Sequence, residues 1–214
     1  MSESGDITHR TFEFDSPDGT RLIGDLAVPN AVCSAAVVCH PHPRYGGNRF
    51  DAVVTALYRA LPASGIATLR FDFRSQFSDG VGEALDALAA IDELVAAAPD
   101  VPLALLGYSF GAWIALGLDD GRIDALVAVA PPLSVMSATP APRVATLVLT
   151  PAHDQFSPPG AIEPIIDDWR TRGSAHVEFE VVEMSDHFLS GRTAAVADRA
   201  ASWLSGRPLL PSPL

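Results

Sequence analysis

The chain has 214 residues, 48% of them hydrophobic, enough to bury one substantial core and short for two, so a single domain over residues 1–205 is expected. A net charge of −12 argues against nucleic acid or a membrane surface as a partner. No run approaches the roughly eighteen apolar residues that span a bilayer, no basic start precedes an apolar stretch, and a cytoplasmic protein is expected.

All fourteen basic side chains are arginine. The lack of lysine excludes Schiff-base chemistry, a P-loop lysine and a Ser-Lys dyad. Cys33 and Cys39 flank or lie in an apolar run and read as small buried hydrophobes in a reducing compartment rather than as a disulfide.

Residues Arg10 to Asp15 and Arg21 to Val28 flank the turn sequence Ser16-Pro17-Asp18-Gly19-Thr20 and predict an antiparallel hairpin. From residue 35 onward, short apolar runs alternate with helical periodicity. Ala35 to His40, Ala67 to Phe73, Val101 to Leu106, Ala125 to Ala130 and Val144 to Thr150 are near-continuous apolar strands, as expected when both sheet faces are covered.

The first helix is predicted over Arg49 to Leu61, with Phe50, Val53, Val54, Leu57, Tyr58 and Leu61 on one face, Asn48 as N-cap, and Pro62 and Gly65 ending it. A second covers about Gly82 to Ala98, with Leu85, Leu88, Ile91 and Val95 inward and its acids outward. A third begins just after Ser109, and later ones fit Ile162 to Thr171 and Ala194 to Leu204. The alternation in Ala175 to Glu183 reads as a strand carrying His176. The tail from Gly206 to Leu214 holds three prolines and cannot be a helix, so a flexible or surface-docked end is expected. A hairpin followed by repeated strand-helix units implies an α/β fold with an open, mostly parallel sheet, an antiparallel edge and helices on both faces. In such sheets ligands bind beyond the carboxyl ends of the strands.

Gly107-Tyr108-Ser109-Phe110-Gly111 lies where an apolar strand turns directly into a helix. A sharp strand-to-helix turn projects a nucleophilic serine, and crowding there demands small residues two before and two after it, a role for Gly107 and Gly111. The helix N-terminus then turns the Phe110 N–H and its dipole toward a developing oxyanion. A serine N-cap alone would explain one glycine but not both.

The base and the acid should follow on loops after later strands. His187, in Met184-Ser185-Asp186-His187-Phe188, follows the predicted last strand, whereas His176 lies within it. Ala125 to Ala152 contains no Asp or Glu, so Asp154 is the first carboxylate available. Asp186 is the rival acid, but its neighbouring position gives it difficulty reaching back to Nδ1 of His187. His153 reads as structural.

Between the strand ending at His40 and the first helix lies His40-Pro41-His42-Pro43-Arg44-Tyr45-Gly46-Gly47-Asn48. Pro41 and Pro43 have no N–H, so the His42 amide is the backbone donor in this triplet and the second oxyanion donor after Phe110. A purely structural loop is one alternative. The His-x-His pair could also bind a metal, but no further ligands at suitable spacing accompany it and no metal or other cofactor is expected.

These segments together resemble the small, lidless bacterial α/β-hydrolases with a His-Pro-His-Pro-x-x-Gly-Gly signature. The resemblance runs from His40-Pro41-His42-Pro43 and Gly46-Gly47 through Leu69 to Arg74, Gly82-Glu83 and the serine motif to Ala130-Pro131-Pro132, Asp154 and Asp186-His187-Phe188. It implies the α/β-hydrolase fold and esterase-like hydrolysis by Ser109, His187 and Asp154. One departure is the shortened loop Ser75 to Gly80, which bears on the shape of the pocket.

The short stretch from Pro132 to Pro142 leaves no room for an inserted cap domain, so an open site for small soluble esters is expected. Tyr45, Tyr108, Phe110 and Phe188 are candidate pocket walls, each with core packing as its alternative. Thioesterase or peptidase activity from the same residues, and a non-catalytic binding module on the same fold, stay open.

Overall fold

The structure is a computed structural model and describes residues 6–136, 139–173 and 176–206. Its strands are β1 (Ile7–Asp15), β2 (Arg21–Pro29), β3 (Ser34–Cys39), β4 (Ile66–Phe71), β5 (Leu103–Tyr108), β6 (Ile123–Val129), β7 (Ala145–His153) and β8 (Val177–Asp186). The helices are α1 (Ala52–Ala63), α2 (Val81–Ala97), α3 (Phe110–Gly117), α4 (Pro159–Thr171) and α5 (Thr193–Ser205).

The strands form one sheet in the order β1-β2-β4-β3-β5-β6-β7-β8. β1 and β2 pair antiparallel, β2 meets β4 antiparallel, and every later pairing is parallel. β3, β4 and β5 are buried along their whole length. Their continuous apolar sequences follow from this, because each face of the sheet carries a helical layer. Ala36, Val38, Leu106 and Val127 pack with Leu57 and Leu61 of α1 and Ala200 and Leu204 of α5. On the other face Val37, Leu105 and Val148 pack with Ile91 of α2, Ile114 of α3 and Ile166 of α4.

Two helices depart from expectation. α1 starts at Ala52, not Arg49, and Asp51 rather than Asn48 caps it by accepting the Val53 N–H at 2.9 Å. The Asn48 carboxamide instead accepts from Phe50 N–H at 2.8 Å, and the Arg49 N–H donates to Asp72 at 2.7 Å, so both residues are committed before the helix begins. Phe50 consequently lies outside the apolar face, 58% exposed. Pro62 falls inside the last turn of α1, and Ser64 ends the helix.

In α2 the acids do not all face outward. Glu83 and Asp86 are fully buried. Each has partners that justify its burial: Asp86 accepts from the Arg74 guanidinium and backbone N–H, and Glu83 accepts from Ser78 and Gly80 N–H. His176 precedes β8 rather than lying in it. Both cysteines are free; Cys39 is buried in β3, but Cys33, just before that strand, is exposed, its thiol donating to the Gly65 carbonyl at 3.3 Å. The proline-rich segment 207–214 lies outside the described residues. Among the described residues β6 and β7 are joined without a helix or strand, and no cap domain is inserted there. No helix among the described residues is long and apolar enough to cross a membrane.

Candidate active site

β5 passes into α3 with Ser109 as the single residue between them, at φ 53° and ψ −117°. A side chain in that region costs about 1–3 kcal/mol and persists only where its surroundings enforce it. Here the Ser109 N–H donates to the Val129 carbonyl of the neighbouring strand at 2.9 Å, and its carbonyl accepts from Ala112 and Trp113 at 3.0 and 3.1 Å. The flanking glycines are explained by close approach. A Cβ on Gly107 would strike the backbone of Gly111, and one on Gly111 would strike the carbonyls of Cys39 and His40.

His187 follows β8 directly, at its carboxyl end. Its Nε2 lies 2.9 Å from Ser109 Oγ and its Nδ1 2.8 Å from Asp154 Oδ2. The Asp154 side chain is completely buried, and its other oxygen accepts the N–H groups of Phe156 and Ser157 at 2.8 and 3.0 Å. An acceptor-only carboxylate at Nδ1 fixes the tautomer: the proton sits on Nδ1 and the Nε2 lone pair faces the serine hydroxyl. Asp186 is turned to a local task, accepting the Phe188 N–H at 3.1 Å. His153 is exposed and pairs with Asp186 at the end of the β7–β8 ladder.

The His42 and Phe110 rings lie 4.7 Å apart, which brings the loop after β3 against the start of α3. The His42 carbonyl accepts from Tyr45 and Gly47 at 3.0 and 3.1 Å, closing a 3-10 turn over Pro43–Tyr45. As the first residue of α3, Phe110 has no acceptor for its N–H within the helix. Neither this N–H nor that of His42 has a hydrogen-bond partner among the described residues.

His40, beneath this loop, uses both ring nitrogens. Nδ1 lies 2.6 Å from the Pro41 carbonyl, and Nε2 accepts the Phe73 N–H at 2.9 Å. Burial pushes its pKa down to about 4, so the ring is neutral and joins the loops after β3 and β4. His42 is also lowered, by burial and then by the charge of Arg44, and its Nδ1 accepts the Arg44 N–H at 3.2 Å. The His-x-His pair therefore presents one unused ring nitrogen, a poor basis for a metal site.

Of the expected pocket walls, Tyr45 is 88% and Phe188 59% exposed, while Phe110 is buried against His42. Tyr108 is no pocket wall. It is buried in the α1/α5 face of the core, and its hydroxyl donates to the His187 carbonyl at 2.9 Å.

Two aromatic neighbours of the site escaped the sequence reading. Phe77, on the short loop after β4, lies 4.6 Å from the His42 ring and 5.8 Å from that of Phe110. Phe156, two residues past Asp154, meets the His187 ring edge-on at 4.7 Å. Neither belongs to a periodic segment. The one sequence signal for Phe77 was Glu83, three residues past Gly80, which marks a capping box and so a fixed loop before α2.

The alpha/beta hydrolase family model matches residues 36–214. The chain belongs to this family. An uncharacterised protein of Rickettsia prowazekii is 32% identical over 199 residues, covering 84% of this chain and 82% of that protein. A crystal structure from Agrobacterium tumefaciens, of a protein of unknown function proposed to be an alpha/beta hydrolase, superposes with a TM-score of 0.84 at 27% identity. That match covers 95% of this chain and all of the other. A Xanthomonas campestris protein described as an α/β serine hydrolase without a lid gives 0.80 at 27% identity, covering 96% and 97% of the two chains. In this alpha/beta hydrolase the carboxyl edge of the eight-stranded sheet carries Ser109, Asp154 and His187.

Proposed function

We propose that this alpha/beta hydrolase is a serine hydrolase that cleaves small carboxylic esters through an acyl-enzyme on Ser109. The observation that carries the proposal is the unbroken hydrogen-bonded chain from Ser109 Oγ through both nitrogens of His187 to a buried carboxylate. His187 takes the serine proton as Oγ attacks the carbonyl carbon, and Asp154 holds the imidazolium that forms. The free N–H groups of His42 and Phe110 receive the oxyanion. His187 then protonates the leaving alkoxide, and a water activated by the same ring hydrolyses the acyl-enzyme.

The short β6–β7 connection and the exposed Phe156 and Phe188 support an open site for small soluble esters; we place the protein in the cytoplasm as part of the same proposal. Thioesters and amides could enter the same site.

A fluorophosphonate probe tests the reading: Ser109 should be labelled in the folded protein, and an unlabelled Ser109 would leave only a binding module. On 4-nitrophenyl esters, Ser109→Ala should lower kcat by about 10⁶-fold. Matched ester, thioester and amide substrates then rank the three activities.

A further inference from the structure

In a protein of net charge −12, arginines near carboxylates are the rule: Arg49, Arg70, Arg74, Arg122 and Arg199 each lie against one or more. Arg44 does not. Among the described residues no carboxylate lies within ion-pair distance of it, and its guanidinium is exposed, stacked over the Phe77 ring at 4.7 Å. Stacking leaves the in-plane N–H donors of a guanidinium free for a bidentate partner.

The location gives this cation its meaning. The Phe77 ring lies 4.6 Å from the ring of His42, whose amide is the proposed oxyanion donor. The backbone N–H of Arg44 is tied to His42 Nδ1, so the residue starts from a fixed point in the oxyanion loop. Of the other charges around this end of the site, Glu83 is buried and bound to loop amides, Arg74 is held by Asp86 and Asp18, and Asp79 is exposed directly before Gly80, the N-cap of α2. Across the site, Asp186 is turned to the Phe188 amide. The rings against His42 and His187, those of Tyr45, Phe77, Phe156 and Phe188 among them, are aromatic and neutral.

We propose that Arg44 is a specificity-determining residue that selects esters bearing a carboxylate or other anion a few atoms from the scissile carbonyl. This rests on the serine hydrolase reading and adds the charge of its substrate. Phe77 supports the guanidinium from below, and the anion binds its exposed edge. The anion can reside on the acyl chain or on the leaving group, and two substrate pairs separate these sources.

For the acyl side, 4-nitrophenyl hydrogen adipate is compared with 4-nitrophenyl hexanoate. For the leaving-group side, 3-carboxyphenyl butyrate is compared with phenyl butyrate. In at least one pair the anionic-to-neutral ratio of kcat/KM should fall about five- to tenfold in Arg44→Ala and further in Arg44→Glu, as expected for loss of a charge-assisted contact at an exposed site. Raising salt to 0.5 M should lower that ratio in the unmodified protein and leave it unchanged in Arg44→Ala. Ratios within twofold of the unmodified protein in both pairs overturn the assignment of Arg44. Fluorophosphonate labelling separates the two levels: labelled Ser109 with unchanged ratios overturns the anion selectivity alone, while unlabelled Ser109 overturns both.

Discussion

Tyr108 donates its phenolic hydrogen to the main-chain carbonyl of His187 at 2.9 Å, joining residues 79 positions apart. The residue before Ser109 thereby holds the backbone of the residue whose ring faces Ser109. The bond is buried, so its donor and acceptor have no water to replace each other. The distance between Oγ and Nε2 is thus set from both ends, by the strained turn at Ser109 and by this link to the end of β8.

Tyr108→Phe keeps the ring in the core and removes only the donor. kcat should fall about three- to tenfold, the range of one net hydrogen bond, while KM changes little because the ring does not line the pocket. Steady-state kinetics on a 4-nitrophenyl ester with the rate of fluorophosphonate labelling checks this. An unchanged labelling rate would mean that the Tyr108 hydroxyl does not position His187.

His40 predicts a pH-dependent stability. Burial holds its pKa at about 4, against 6.5 for an ordinary imidazole. Below pH 6.5 the unfolded chain protonates this ring while the folded one resists until about 4. The stability due to the neutral ring is therefore complete above pH 6.5 and is lost as pH falls toward 4, in all about 3 kcal/mol. Protonation would also set an Nε2–H against the Phe73 N–H. Urea unfolding at pH 7.5 and 4.5 should show the unmodified protein losing about 2–3 kcal/mol more than His40→Gln. Carboxylates common to both proteins cancel in that difference, and equal losses would rule out His40 as the source.

The inner strands were legible because both faces of the sheet are covered: a run such as Ala35-Ala36-Val37-Val38 has few other readings. The Ser109 turn was legible because two glycines two residues either side of a serine meet a steric demand that a simple N-cap does not make. Asp154 emerged by elimination, since no earlier carboxylate follows β6, and in the structure it lies 2.8 Å from Nδ1 of His187.

What could not be read depended on contacts between distant residues. Asn48 has the sequence form of an N-cap, but Asp72 takes the amide of Arg49, 23 positions before it, and delays the helix. Asp86 looks like a solvent-facing acid until Arg74 is brought onto it by the sheet. Tyr108 looks like a pocket residue because it neighbours Ser109, yet strand alternation turns it to the opposite face from Phe110, into the α1/α5 layer.

Glu83 shows how such a contact reaches the site. Its carboxylate is fully buried at the start of α2 and accepts the N–H groups of Ser78 and Gly80 at 2.9 and 3.0 Å. Those amides belong to the short loop that places Phe77 against the ring of His42. Glu83→Gln keeps the size of the side chain but sets an amide donor against one of the two N–H groups, which should cost about 1–3 kcal/mol of stability. With the loop loosened, Phe77 no longer keeps its place beside His42, so KM for 4-nitrophenyl esters should rise several-fold while kcat, which the proposed mechanism assigns to Ser109, His187 and Asp154, changes less. Thermal unfolding together with a split of kcat from KM tests both halves. A variant that loses stability but keeps its KM would mean that Glu83 holds the fold of the loop without shaping the pocket.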